Sequence, residues 1–218
     1  MRPLRLTQFR VGTLVLIGLS LLIVGIGCSS ADQAGQPASV PLPSVQLSEY
    51  YNFNELPEMI ATADIVIIGT VTAQLDGRVL EPAFVGDSPP RKFVRFEVIP
   101  DEILIGSLET PTIVMEISEL GLAYIGDILW TQPGQKSLLF LHKKLDTTEP
   151  RYRPTNSQGV YRIDSQGELN GVRASDKLVE QISILSLQDV RDEVETAKVQ
   201  IARGELLPQV FPPVRTSR

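Results

Sequence analysis

The sequence is poor in the side chains from which disulfides, zinc sites and many active sites are built. Its 218 residues include a single cysteine, Cys28, and a single histidine, His142. One cysteine cannot form a disulfide within the chain, and one cysteine with one histidine cannot supply the ligands of a Cys/His zinc site. A Ser–His–acid triad would have to use His142, yet no nucleophile elbow, phosphate loop or dinucleotide fingerprint is found. The sequence therefore predicts no catalytic residue, no metal ligand and no cofactor.

Beyond the N-terminal segment, acidic residues outnumber basic residues. Residues 1–27 contain Arg2, Arg5 and Arg10 and no acidic residue, so the chain from Cys28 onward carries 17 basic and 26 acidic residues. Nucleic-acid-binding proteins usually have the opposite balance, because they neutralise phosphates with lysine and arginine. We therefore expect no nucleic-acid partner.

The N-terminal 27 residues have the organisation of an export signal. The first ten, MRPLRLTQFR, are basic, and residues 11–27 (VGTLVLIGLSLLIVGIG) form an uncharged, mainly apolar run that ends in small residues. This order of segments is typical of a secretory signal peptide. Because cationic flanks resist translocation, the rest of the chain is predicted to lie outside the cytoplasm.

The cysteine directly follows this run, with Gly27 before it and Ser29 after it. This arrangement resembles the lipobox of bacterial lipoproteins, although Gly25 stands where that family usually has leucine. The resemblance implies that residues 1–27 are removed and that Cys28 carries a diacylglycerol thioether, whose acyl chains, such as palmitate, form a stable membrane anchor. The alternatives are an uncleaved apolar anchor and simple secretion. The resemblance further implies the outer membrane where a cell has two, because Ser29 stands where lipoproteins retained in the inner membrane have aspartate.

The remaining chain divides by composition. Residues 29–47 are rich in Ser, Ala, Gln and Pro, and their prolines favour an extended chain over a helix. We predict a lipidated cysteine with a flexible tether (28–48), a β-barrel domain (49–175), a C-terminal helical segment (176–206) and a disordered, proline-rich tail (207–218).

Short apolar or alternating segments predict a β-rich body. The predicted strands are residues 64–73, 92–99, 112–118, 137–142, 160–163 and 168–172. The segments 64–73 and 137–142 are apolar on both faces, which indicates central strands, and Gly69 predicts a bulge or bend. Pro100 is predicted to end the second strand, and residues 101–105 are predicted to be a strand continuation or a turn. Residues 74–91 are predicted to be a long loop or an irregular hairpin connection, and residues 143–158 a polar loop. Without alternating helices, five or six strands indicate an antiparallel sheet closed or nearly closed on itself.

Two helices are predicted at the ends of this body. Residues 55–63, ELPEMIATA, place apolar side chains at helical spacing. Ser186 followed by Asp189 is typical of a capping box at a helix start. One face of the following helix is apolar, and it is expected to pack on the barrel. Its residues are Leu187, Val190, Val194, Ala197 and Ile201.

Three segments carry a resemblance to a known fold. They are ADIVIIGTVT (63–72), FEVIPDEILIGS (96–107) and PGQKSLLFL (133–141). Their order resembles bacterial exported domains related to the OB-like barrel of tissue metalloproteinase inhibitors and netrin modules. The resemblance covers roughly residues 58–170 and implies an OB-like barrel. The animal inhibitors use a free N-terminal cysteine against the zinc of their target, whereas Cys28 precedes a long tether, so that mechanism is not carried over.

Scattered polar and aromatic residues leave some alternatives open. Asp101, Glu102, Glu116 and Glu119 are expected to be solvated, with a calcium site as the alternative. Tyr124, Trp130 and Phe140 are expected in the core, with a stacking surface as the alternative. His142 is expected at the surface or at a strand edge.

We hypothesise a membrane-anchored, extracytoplasmic lipoprotein that carries a non-catalytic binding domain for an unidentified protein or envelope partner. One alternative is a carboxylate-based hydrolase of envelope material, which requires two acids about 5–9.5 Å apart in a cleft. The other is an inhibitor-like module with an exposed apolar patch.

Overall fold

A computed structural model of the chain describes residues 51–81, 89–119, 121–122, 131–144 and 149–210. All of them belong to one compact unit, Gln46–Arg218. The strands are β1 (Ile65–Leu80), β2 (Arg91–Ile105), β3 (Ile113–Ser118), β4 (Lys136–Lys143), β5 (Arg151–Pro154), β6 (Val160–Ile163) and β7 (Leu169–Gly171). The helices are α1 (Leu56–Thr62), α2 (Lys177–Ser183) and α3 (Leu187–Ala202), and Ser157–Gly159 forms a 3₁₀ turn.

The prediction of a mainly β fold is confirmed. The strands form one seven-stranded sheet in the order β1-β2-β3-β5-β4-β6-β7, and β1 also pairs with β4. This extra pairing joins β1, β2, β3, β5 and β4 into a ring of five strands. The prediction of a wholly antiparallel sheet was wrong at one place, because β3 and β5 pair in parallel.

Strand β5 lies within the segment 143–158 that was predicted to be a polar loop. The strand is four residues long, and its second residue, Tyr152, is buried between two half-buried arginines. Its main chain pairs with β3 on one side and β4 on the other. Tertiary pairing with two neighbours therefore makes a strand of a segment whose composition favours a loop.

Strand β1 extends further than predicted, and β2 continues through residues 101–105, which was one of the two alternatives for that segment. Residues 74–80 belong to β1 and pair with β2 through a register shift between Leu75 and Arg78. The predicted bulge at Gly69 is confirmed by a second register shift. A Cβ there would lie only 2.9 Å from Cγ1 of Val98, so glycine permits the close approach of β2. Pro100 does not end β2 but lies opposite Gly69 at this irregularity, where a missing N–H is tolerated.

The sheet separates two apolar clusters. One is enclosed by the ring and is built from alternate residues of its five strands, among them Ile67, Met115 and Leu139. The other lies on the opposite side of β1 and β4 and is covered by the three helices. Both faces of β4 and of the first half of β1 are therefore buried, which confirms the prediction that these apolar segments are central strands.

The helices complete the second cluster. Helix α1 lies where the sequence predicted it. The capping box predicted for α3 is formed by Ser186 and Asp189, and Val190, Val194 and Ala197 are buried. Helix α2, which starts at an Asp176 cap, lies within the segment predicted to be helical. Among the described residues, no helix is long and apolar enough to cross a membrane.

Candidate functional site

One side of the strands β3 and β5 carries an unusual concentration of charge. Met115 and Tyr152 lie opposite each other and point into the cluster that the ring encloses. Because side chains alternate along a strand, Glu116, Arg151 and Arg153 point to the outside of the ring. Strand pairing therefore places two arginines beside a carboxylate on the side of β3 and β5 that faces away from the ring interior.

Glu116 is the centre of this arrangement, and its side chain is fully buried. Its Oε1 atom accepts a 2.7 Å hydrogen bond from Nη2 of Arg78 and another from Nζ of Lys144. Its Oε2 atom accepts 3.1 Å hydrogen bonds from Nε of Arg78 and Nη1 of Arg151. Burial by itself would raise the pKa of Glu116, but the hydrogen bonds and charges of Arg78 and Lys144 outweigh it and hold the pKa below its usual value.

An aromatic ring supports two of these cations. The guanidinium carbon of Arg78 lies 5.1 Å from the centroid of the Phe93 ring, and Nζ of Lys144 lies 4.4 Å from it. Both distances fall in the range of cation–π attraction. Arg151 also forms a 3.5 Å ion pair with Glu149. We call the outer surface formed by Arg78, Lys144, Arg151 and Arg153 the basic face.

The fourth member of the basic face differs from the other three. Arg153 is half-buried, and its side chain makes no hydrogen bond or ion pair with any residue of the described ranges. It lies opposite His142 in the pairing of β5 with β4. Burial lowers the pKa of His142, and the positive charge of Arg153 adds to this shift. Burial raises the pKa of Tyr51, and the charge of Arg153 opposes that increase. A guanidinium without an acceptor is available to bind an anion.

His142 and Tyr51 border Arg153. Nδ1 of His142 lies 3.2 Å from Oδ2 of Asp64, and the Tyr51 ring centroid lies 5.2 Å from that of His142. The expectation that His142 lies at the surface was wrong, because only 9% of it is exposed. Its Nε2 atom is buried and has no hydrogen-bond partner among the described residues. The sequence could not show that Tyr51, far away along the chain, packs against this ring.

Asp101, Glu102 and Glu119, the other acidic residues singled out from the sequence, do not form a common site with one another. Asp101 pairs with Lys136 at 3.2 Å, and Glu102 pairs with Arg191 at 2.7 Å. Glu119 is exposed, whereas Glu116 is buried, so the expectation that all four are solvated was wrong for Glu116. Within the described part of the chain, no three Asp, Glu, His or Cys side chains are grouped to hold a metal ion.

Of the remaining residues singled out from the sequence, the structure describes one and leaves three undescribed. Phe140 is fully buried, which confirms its core position, and Cys28, Tyr124 and Trp130 lie outside the described residues.

The basic face was not predicted from the sequence. A signal was present in the alternation Arg151-Tyr152-Arg153, which is typical of a half-buried strand with a basic outer side.

No protein-family model matches the chain, and no curated protein sequence matches it.

Proposed function

We propose that the chain is a bacterial lipoprotein whose folded domain is tethered outside the cytoplasm by an acylated Cys28. The observation that carries this proposal is the position of Cys28, immediately after a basic segment and an uncharged apolar run. The anchoring acyl chains would add about 0.8 kcal/mol of membrane affinity for each buried CH₂ group, so several chains hold a protein stably.

The start of the fold supports the proposed tether. The predicted tether ends at residue 48, and Tyr51 and Phe53 are already buried in the cluster beneath the helices. A polar, proline-containing stretch followed at once by core residues is the arrangement expected of a spacer that leads into a domain.

We propose further that the ring of five strands is an OB-like barrel related to the metalloproteinase-inhibitor and netrin modules, and that it serves binding rather than catalysis. The closed pairing of five strands around an apolar interior supports this fold. The basic face supports a binding role, because it presents Arg153 without an acceptor among the described residues. A common fold does not fix the ligand, so the partner must be sought through the chemistry of this face.

The anchor is tested by intact mass spectrometry of the full chain produced in a bacterial host and recovered from the membrane fraction. We expect a product that begins at Cys28 and carries added acyl mass. A Cys28→Ala variant is expected to lack that mass, and Ser29→Ala, which changes the adjacent residue, is expected to retain it. A product that retains Met1 in both the parent chain and Cys28→Ala would overturn the proposal in favour of an uncleaved anchor.

A further inference from the structure

The first residues of the domain cover His142 but belong to no helix or strand. Tyr51 packs its ring against the imidazole, with 5.2 Å between the two ring centroids, and the ring of Phe53 stacks on that of Tyr51 at 5.7 Å. Residues 51–54, which we call the entry segment, precede helix α1, which begins at Leu56. The entry segment therefore covers the imidazole from outside the sheet.

Side-chain hydrogen bonds and ring packing hold the entry segment in place. Nδ2 of Asn156 donates a 3.1 Å hydrogen bond to the carbonyl of Tyr51. The side-chain amide of Gln158 bonds to both the N–H and the carbonyl of Phe53, at 2.9 Å and 3.0 Å. Because segments held in this way open locally at a lower free energy than paired strands, the entry segment is the part of the cover of His142 that opens most readily.

Protonation of His142 would leave a buried donor without an acceptor. The neutral ring donates from Nδ1 to Oδ2 of Asp64, 3.2 Å away. Its Nε2 atom is buried and has no hydrogen-bond partner in the described part of the chain. In the imidazolium this atom carries a second N–H, which needs an acceptor. Water can supply that acceptor only when part of the cover moves away.

The charges around the imidazole do not compensate for its burial. Those that face it are Asp64, directly before β1, and Arg153 on β5, and their effects on its protonation oppose each other. Burial raises the pKa of Tyr51, so the phenol beside the imidazole is neutral. Lys143, the next residue of β4, points to the other side of the strand, where its Nζ atom pairs with Glu109 at 3.1 Å. The protonated ring is therefore more stable in water than under the entry segment.

We propose that the entry segment is a pH-sensitive latch, which closes over neutral His142 and opens when His142 is protonated, while the sheet stays folded. On the proposed function, opening moves the start of the folded domain from Tyr51 to α1. Four extended residues would then lengthen the tether by up to about 14 Å. This consequence rests on the proposed lipid anchor, whereas the latch itself does not.

The test is hydrogen–deuterium exchange of the full chain in detergent micelles at about pH 7.5, 6.5 and 5.5, with rates corrected for the intrinsic pH dependence of amide exchange. The N–H of Phe53, bonded to Oε1 of Gln158, reports the latch, and the amides of β4 report the sheet. A released histidine has a pKa of about 6.5, so we expect the protection factor at Phe53 to fall by up to about tenfold from the highest to the lowest pH. The amides of β4 are expected to remain more strongly protected at every pH.

His142→Asn keeps a side-chain N–H for Asp64 but does not titrate, so protection at Phe53 should no longer change with pH in this variant. The matched control is Lys143→Gln, which removes the charge of the adjacent exposed residue and should keep the pH dependence. The latch would be overturned by protection at Phe53 that does not vary with pH in the parent chain, by a pH dependence that persists in His142→Asn, or by equal protection of Phe53 and β4. Intact mass of the same samples reports the acylation of Cys28 separately, so a failure of the latch is distinguished from a failure of the anchor.

Discussion

Asp64 and His142 form a hydrogen bond across the pairing of β1 with β4, with Oδ2 of Asp64 3.2 Å from Nδ1 of His142. A carboxylate can only accept, so the neutral imidazole carries its proton on Nδ1. Oδ2 of Asp64 also accepts a 2.8 Å hydrogen bond from the backbone N–H of Lys143. This carboxylate therefore fixes both the ring of His142 and the end of β4.

Protonation of His142 is predicted to destabilise the fold. Burial lowers the pKa of His142 below its usual value despite the opposing effect of Asp64. The unfolded chain, with a histidine pKa of about 6.5, then binds more protons than the folded chain. The free energy of unfolding should therefore fall as the pH decreases from about 7 to about 5.

Urea unfolding at a series of pH values measures this effect, and His142→Asn supplies the matched variant. Asparagine keeps a side-chain N–H for Asp64 but does not titrate, and His142 is the only histidine. We expect the variant to lose most of the pH dependence in this range. The pKa values of Glu102 and Glu116 are lowered by their basic partners, so their contributions are lost only at more acidic pH. An unchanged slope in His142→Asn would contradict the prediction.

Replacement of Glu116 tests the centre of the basic face. Glu116→Gln leaves Arg78, Lys144 and Arg151 close together without their shared buried counter-ion. Removal of one partner from a buried charge network is expected to lower the free energy of unfolding by about 3 kcal/mol. The exposed Glu119, just beyond the end of β3, gives the control Glu119→Gln, which should change stability by less than about 0.5 kcal/mol. Similar urea midpoints for the two variants would show that the network contributes little.

Apolar patterning predicted the central part of this fold well. The continuous apolar segments of β1 and β4 correctly indicated strands covered on both faces, and Ser186 with Asp189 correctly indicated the start of α3. The extension of β1 to Leu80 was not predicted, because the C-terminal half of this strand is mostly exposed and polar. This half of β1 is a strand because it pairs with β2, and the local sequence pattern does not indicate that pairing.

The candidate site depended still more on distant contacts. The sequence provided Cys28 as a predicted lipid attachment residue, but it gave no reason to group Arg78, Glu116 and Arg151. These residues come from three different strands, and their association follows from the pairing of β2 with both β1 and β3 and from the parallel pairing of β3 with β5. A pairing between strands that are separated along the chain cannot be read from alternation alone.

Gly171 is predicted to set the distance between β7 and α2. A Cβ at this position would lie 2.1 Å from Cγ1 of Val179 and 3.1 Å from Cε1 of Tyr161, both of which are fully buried. Gly171→Ala should therefore displace α2 and lower the free energy of unfolding by about 1–3 kcal/mol. Asn170→Ala, at an exposed neighbouring position on the same strand, is the control. Thermal unfolding followed by circular dichroism compares them, and equal midpoints would refute the close packing.

Gln158 is predicted to hold the N-terminal segment to the rest of the domain. Its side-chain amide accepts a 2.9 Å hydrogen bond from the N–H of Phe53 and donates a 3.0 Å hydrogen bond to the Phe53 carbonyl. Nε2 also donates to both carboxylate oxygens of Asp176, the N-cap residue of α2. The side chain is almost fully buried, so these partners have no ready replacement in water.

Gln158→Leu should therefore leave the main chain of Phe53 and the carboxylate of Asp176 without their partner. Because an unsatisfied buried polar group costs about 1–3 kcal/mol, we expect the free energy of unfolding to fall by about 3 kcal/mol. Limited proteolysis should also cleave the chain near Tyr51 earlier than in the parent protein, because the first segment would separate before the strands do. Gln166→Ala, in an exposed turn, is expected to change neither measurement. Unaltered cleavage near Tyr51 in Gln158→Leu would mean that apolar packing of Phe53 alone holds this segment in place.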